Sequence, residues 1–441
     1  MKKTSIIIFA IVLAMLSSCK LNLPKNETIV SNLEKAQQWV DDFSREDFEK
    51  ITNSFSYSSE VKDVINETVI ENFYDQLINR HGKIINSAID NEQSLNEFEI
   101  KSFILECEKS EFTLSLTFDE GKICGINFYP IIDDTFMEKG EHIKIGTKNM
   151  ELPGVLLRPN NQTKYLVIIL PDSGPQDLNG TLGVNKPYKD IAEQLFENGI
   201  ASFRFHKRSY YYMDKIDFEK ITANEDIIED AISAITYFYD SEIYHFEKIF
   251  LLGHGAGGYF LPQIFQQAKQ TTGLSIDGLI YLAANAPRFE DLIVTQAELQ
   301  FNNVPQYISE DEVTEIKNVR DIIKNLTLES NYASSQLFGL SVPYYINLKE
   351  YEPTDIVQTI DCPMLFLFAE NDKIVPYSEF EIWNKELKQK EGVTFKMYKG
   401  LNHAFMQGTG WQEQDFLINS NISHIVINDI TNWINTNTII K

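Results

Sequence analysis

Apolar residues recur every three to four positions between residues 32 and 81. Ala36, Val40, Phe43, Phe48 and Ile51 form one series; Val61, Val64, Ile65, Val69, Phe73 and Leu77 form the next. That period predicts helices that each bury one face. Three strand-like runs follow, over residues 97–108, 111–118 and 122–129. The last two alternate apolar with polar and are joined through Asp119-Glu120-Gly121, a hairpin signal. Helices followed by a meander predict a small α+β domain over residues 32–132. No grouping of His, Cys and carboxylate stands out in it, which favours a structural or binding role.

After a linker over residues 133–140 the rhythm changes. Short apolar runs at 165–170, 200–205, 248–252, 278–284, 363–368 and 393–398 alternate with amphipathic stretches such as 188–198, 225–239 and 259–268. Strand–helix alternation of this kind predicts an α/β domain over residues 140–441, with a mostly parallel sheet covered on both faces. Residues 288–350 interrupt it with polar-rich, helix-like sequence and read as a helical lid inserted after a strand. No internal repeat or low-complexity run is evident.

Composition adds boundaries rather than a function. A chain of 441 residues is long for one core and agrees with two domains. A net charge of −25 excludes a nucleic-acid surface, because little is present to neutralise phosphates. Lys2 and Lys3 precede an apolar stretch over residues 6–16 that is too short to span a bilayer. The stretch ends in Leu16-Ser17-Ser18-Cys19, which resembles a bacterial lipobox. The resemblance implies a lipoprotein signal peptide over residues 1–19, lipidation of Cys19, a polar tether over residues 20–31, and an extracytoplasmic protein anchored to a membrane. An ordinary cleavable signal with an incidental cysteine is the alternative. Cys107, Cys124 and Cys362 remain, an odd number that forbids complete internal pairing. Cys107 and Cys124 fall on the first and third strands of the expected meander, too far apart for a disulfide. The three read as free thiols, and no metal-ligand spacing of Cys or His occurs.

The chemistry concentrates around Leu251-Leu252-Gly253-His254-Gly255-Ala256-Gly257-Gly258, where a strand gives way sharply to a helix. Six segments resemble the α/β-hydrolase superfamily in order, closest to esterase-like, dienelactone-hydrolase-related bacterial enzymes. They are Ser173-Gly174-Pro175-Gln176-Asp177, Asn185-Lys186-Pro187, Lys207-Arg208, Gly253 to Gly258, Glu370-Asn371-Asp372-Lys373-Ile374-Val375-Pro376, and Leu401-Asn402-His403. The resemblance covers about 300 residues. It implies a serine nucleophile in a G-x-S-x-G turn, followed along the chain by an acid and a histidine. Asp372 and His403 stand at the acid and base positions. Gly255 stands where the serine belongs and has no hydroxyl, thiol or carboxylate to activate.

Two further departures accompany that loss. The oxyanion loop reads Pro171-Asp172 where the family usually has His-Gly, and His206 precedes Lys207 where relatives generally have Asp. By the resemblance, Ala256, Asp172 and Ser173 are the oxyanion-hole positions. A proline there removes a donor, and an aspartate brings negative charge toward a developing oxyanion. Two functions follow as expectations. One is a non-catalytic binding protein that retains a cleft for a small acyl or ester ligand. The other is a weak or unusual ester hydrolase in which the Asp372–His403 dyad activates water at the position left empty by the missing side chain. Ser173 is a remote substitute nucleophile. Neither reading calls for a cofactor or a metal.

Overall fold

A computed structural model describes residues 31–95, 98–108, 111–130, 138–147, 150–182, 185–213, 215–273, 276–410 and 420–438. The expected signal peptide, most of the expected tether and Cys19 lie outside these residues. The chain divides into two compact units, Ser17–Thr135 and the part from Phe136 to Lys441.

The smaller unit begins with helices Asn32–Ser44, Phe48–Ser54, Ser59–Val64 and Glu67–His81. A capping box starts the first: the Ser31 side chain accepts the Glu34 amide while Glu34 reaches back to the Ser31 amide. Four antiparallel strands follow in sequential order, β1 (Ile84–Leu95), β2 (Phe98–Cys107), β3 (Glu111–Asp119) and β4 (Lys122–Pro130). Trp39, Phe43, Phe103, Leu105, Leu114 and Phe118 are fully enclosed between helices and sheet. The Trp39 indole reaches the Tyr57 hydroxyl at 3.0 Å, and that hydroxyl donates to the Ile51 carbonyl at 2.7 Å, so the polar ends of the buried rings are satisfied.

The sheet corrects one expectation. It has four strands, because the sequence pattern overlooks β1, and Cys107 and Cys124 therefore lie on the second and fourth strands. The physical reason is that β1 is an edge strand with little to bury. Its Ile85 and Ile89 face solvent, and Asn86, Ser87, Asp90, Asn91 and Glu92 interrupt any alternation. Two bulges in its pairing with β2 irregularise that edge. Among the described residues, Cys107, Cys124 and Cys362 form no disulfide.

The larger unit is built on an eight-stranded sheet in the order β12-β11-β10-β9-β7-β8-β6-β5. Its strands are β5 (Glu141–Thr147), β6 (Met150–Leu157), β7 (Tyr165–Leu170), β8 (Ala201–Phe205), β9 (Lys248–His254), β10 (Gly278–Leu282), β11 (Met364–Ala369) and β12 (Val393–Tyr398). The six expected runs are β7 to β12, all mutually parallel where they pair. The antiparallel hairpin β5–β6 extends the β8 edge and was not anticipated. Strands β8, β10 and β11 are buried at every position, so both faces are covered; β10 and β11 read as continuous apolar runs, while β8 carries the buried polar residues Ser202 and Arg204.

Helices Pro187–Glu197, Glu229–Tyr239, Leu261–Thr272, Tyr377–Leu387 and His424–Thr438 accompany the sheet. A five-residue π-helical segment, Asn224–Ile228, leads into the second of these. Between β10 and β11 the insertion is helical as expected, with Phe289–Asn303, Glu310–Lys324 and Val342–Asn347 as its main parts. It has a small core of its own around Leu326, Leu337, Phe338 and Tyr345. Among the described residues no helix is long and apolar enough to cross a membrane.

Candidate active site

The site forms where β7, β9, β11 and β12 end, at the carboxyl edge of the parallel strands, the region where open α/β sheets gather ligands. Strand β9 stops at His254, and Gly255 turns the chain with φ +48° and ψ −114° into the short helix Ala256–Tyr259. That backbone suits glycine and strains any other residue. The turn is packed against neighbouring backbone. A β-carbon on Gly257 would come within 2.6 Å of the carbonyl oxygens of Leu170 and Pro171.

Asp372 follows β11. Its Oδ1 accepts the amides of Ile374 and Val375 at 2.9 and 2.8 Å, and its Oδ2 lies 2.8 Å from Nδ1 of His403. His403 follows β12 on a loop braced by Asn402, whose side-chain oxygen accepts the amides of Ala404 and Met406. The structure thus brings together the residues at the acid and base positions. Both are buried.

The nucleophile position, expected to be empty and open to a water, is instead filled by the carboxylate of Asp172. A β-carbon built on Gly255 would overlap Oδ1 and Cγ of Asp172 and lie only 2.6 Å from Oδ2. Oδ1 accepts the amides of Ala256 and Ser173 at 2.7 and 2.6 Å. Oδ2 lies 3.0 Å from Nε2 of His403. The amides of Ala256 and Ser173 and Nε2 of His403 all converge on one side chain, the Asp172 carboxylate, at the positions where the resemblance led one to expect an oxyanion hole and a base.

Electrostatics follow from this geometry. Both nitrogens of His403 face carboxylate oxygens, and carboxylates only accept, so both nitrogens carry protons. Burial works against the charge, but Asp372 and Asp172 outweigh it and lift the imidazole from its ordinary 6.5 to about 10. Burial also disfavours the Asp172 charge, yet the His403 contact and the Ala256 amide hold its carboxyl well below the usual range. The result is a carboxylate–imidazolium–carboxylate row.

Sequence reasoning missed the residues that seat Asp172. The Tyr188 hydroxyl accepts the Asp172 amide at 3.0 Å and lies 3.1 Å from Nδ1 of His254. Nζ of buried Lys207 donates to the Asp172 carbonyl at 3.2 Å and pairs with Asp226 at 3.0 Å. His206 accepts the Leu178 amide at 3.2 Å and thereby straps the same loop. Tyr188 directly follows the Asn185-Lys186-Pro187 segment and Lys207 is in a motif of its own, so the signal was present without a role attached. Glu379 carried no signal. Buried, it accepts the Ala286 amide at 2.9 Å, and burial pushes its carboxyl up to about 7.

Ser173 is exposed on the loop, and its amide is spent on Asp172. His254 is buried beside His403 with ring centroids 4.5 Å apart and planes inclined by 29°. Its Nε2–H donates to the His403 carbonyl at 3.0 Å, and burial followed by the His403 charge pulls it down to about 4, so it is neutral. Asp172, His254 and His403 are close enough together to suggest a cation site. They do not fit one: in stacked rings the in-plane lone pairs point side by side instead of converging, and both His254 nitrogens have other partners.

The chain is similar to several known proteins. The curated esterase EstD of Thermotoga maritima is 28% identical over 347 residues, covering 76% of this chain and 80% of that protein. Among solved structures, Est1E from Butyrivibrio proteoclasticus aligns with a TM-score of 0.42 and 15% identity, covering 67% of this chain and 98% of the other. The Pyrococcus furiosus esterase Pf2001 aligns with a TM-score of 0.44 and 12% identity, covering 70% and 96%. The profile of the serine aminopeptidase S33 family matches residues 179–409, just over half of the 441 residues, a span that begins after Asp172 and contains Gly255, Asp372 and His403. With its parallel sheet, inserted helices and strand-end site, the chain belongs to this family of α/β-hydrolases.

Proposed function

We propose that this chain is an esterase-type α/β-hydrolase that has lost serine catalysis, and that its cleft binds ligands without cleaving esters. The observation that supports the reading is the Asp172 carboxylate seated where a serine Oγ and an acyl oxygen would otherwise have to be. An ester carbonyl entering the site would find no hydroxyl and no free donor pair. Its oxygen would also meet a negative charge, the reverse of what acyl transfer requires.

The second reading, a dyad that activates water, requires an unprotonated Nε2 on His403. That nitrogen is bound to Asp172 and carries a proton across the physiological range. A histidine already protonated accepts nothing from water, so the binding reading is the better supported.

The lipobox-like Leu16-Ser17-Ser18-Cys19 supports placing the protein outside the cytoplasm, tethered through acyl chains on Cys19. Metabolic labelling with a fatty acid tests this, since a Cys19→Ala form should take up no label. For the cleft, hydrolysis of a chromogenic short-chain ester should be no faster than with a His403→Ala control. Turnover above that control, abolished by His403→Ala, would overturn the reading.

A further inference from the structure

The helical insertion between β10 and β11 carries a groove of its own, which shares no residue with the strand-end site. Its volume is about 410 Å³, within the range of small-ligand pockets. Asn318, Asp321, Ile322 and Asn325 line one side, and their spacing puts them on one face of the helix Glu310–Lys324 as it ends. The chain beyond the helix folds back and adds Ser330 and Tyr332. That fold-back is fixed by the protein itself. The Ser330 hydroxyl oxygen accepts the Thr327 amide at 3.0 Å, and the Ser330 amide donates to the Thr327 carbonyl at 3.0 Å. Leu326 is buried in the core of the insertion with Leu337 and Phe338, and its carbonyl accepts Nζ of Lys349 at 3.2 Å. A wall already ordered lowers the entropic cost of binding.

Two properties define what the groove suits. Its hydrogen-bonding groups are of both senses and carry no spare charge. Among the described residues the Asn318 amide, the Asn325 side-chain oxygen and the Tyr332 hydroxyl meet no protein partner, while Nδ2 of Asn325 is held by the Asp321 carbonyl at 2.7 Å. The cations of the same helix are already taken: Arg320 by Asp321 at 2.8 Å, Lys317 by Glu298 at 2.7 Å and Lys324 by Asp291 at 2.7 Å. None is left for a phosphate or a carboxylate. Beside these polar groups lies exposed apolar surface, from Ile322, the Tyr332 ring and Leu328, which is 77% exposed. A ligand that satisfies both properties has C–H faces and hydroxylated edges, which is the surface of a pyranose ring. We propose that this groove binds a neutral oligosaccharide, one sugar ring lying on Tyr332 and its hydroxyls bonded by Asn318, Asn325 and the Asp321 carboxylate. An extended peptide is a poorer match, because it is read mainly through backbone pairing with a strand edge, and helix and loop line this groove.

This site is independent of the binding reading for the strand-end cleft, and the two are tested separately. The full chain is titrated with cellobiose, maltose and xylobiose, followed by saturation-transfer NMR and calorimetry, with inorganic phosphate as the charged comparison. Expected are transfer of saturation to the ring C–H protons of at least one disaccharide and, in the wild-type chain, shifts of the Asn318 and Asn325 side-chain amide signals. Tyr332→Ala should weaken binding about tenfold, the worth of one aromatic contact. Tyr332→Phe, which keeps the ring, should retain most of the affinity, and Asn318→Ala should lose affinity through a missing hydrogen bond. Tyr307→Ala, an exposed aromatic outside the groove, should change nothing. The amide shifts are read without any variant, so they stand even where a substitution disturbs the fold. No transfer from any of the three disaccharides, affinity unchanged in Tyr332→Ala, or phosphate binding tighter than the sugars would overturn the proposal while leaving the ester result untouched.

Discussion

Asp172 and Gly255 occupy the site as a complementary pair: the carboxylate fits only because residue 255 has no β-carbon. Restoring serine alone is therefore an overpacking mutation in a turn with positive φ. Gly255→Ser should destabilise the chain by about 1–3 kcal/mol and restore no ester hydrolysis. Combined with Asp172→Gly, the loss should be smaller than the sum of the two single losses, since removing the carboxylate makes room for the hydroxyl. A double-mutant cycle from urea unfolding checks this; strict additivity would show that the two residues do not compete for space.

The row Asp172–His403–Asp372 predicts a pH signature of defined sign. The imidazole is raised from 6.5 to about 10 in the folded chain. Its contribution to stability is thus fully present below pH 6.5 and fades as pH rises through 10. Asp172 is shifted downward, so its contribution is present above the ordinary carboxylate range and fades in acid. The destabilisation caused by His403→Gln should accordingly be large at pH 6 and shrink above pH 10. Nitrogen-15 spectra of the imidazole should show both ring nitrogens protonated at pH 8.

Tyr188 and Lys207 should act as supports of the Asp172 loop. Tyr188→Phe removes the acceptor of the Asp172 amide and the partner of His254, with an expected cost of about 1–3 kcal/mol for the donor left unpaired. Lys207→Met removes the link between the Asp172 carbonyl and Asp226 and leaves Asp226 without that cation. Both variants should melt at lower temperature and show faster amide exchange at Ser173 and Ala256. Unchanged exchange there would separate the two residues from the loop.

Much of the fold was legible because parallel strands buried on both faces leave continuous apolar runs, most plainly in β7, β9, β10 and β11. Strands β1 and β5 escaped because each lies at a sheet edge, where pairing rather than burial holds the segment. At the site, Gly255, Asp372 and His403 were legible from spacing along the chain. The role of Asp172 was not. Spacing locates residues on an element but does not say that a side chain from the loop after β7 crosses into the turn after β9. Only the three-dimensional fit shows that a lost side chain at 255 and a gained carboxylate at 172 are one change.

The account turns on the absence of a serine paired with His403, and a fluorophosphonate probe tests that directly because it phosphonylates only an activated hydroxyl. The wild-type chain should show no adduct by intact-mass measurement after prolonged incubation, whereas the Gly255→Ser, Asp172→Gly double variant should label at residue 255. A stoichiometric adduct on the wild-type chain, at Ser173 or any other serine, would contradict the claim that Asp172 has taken the nucleophile's place.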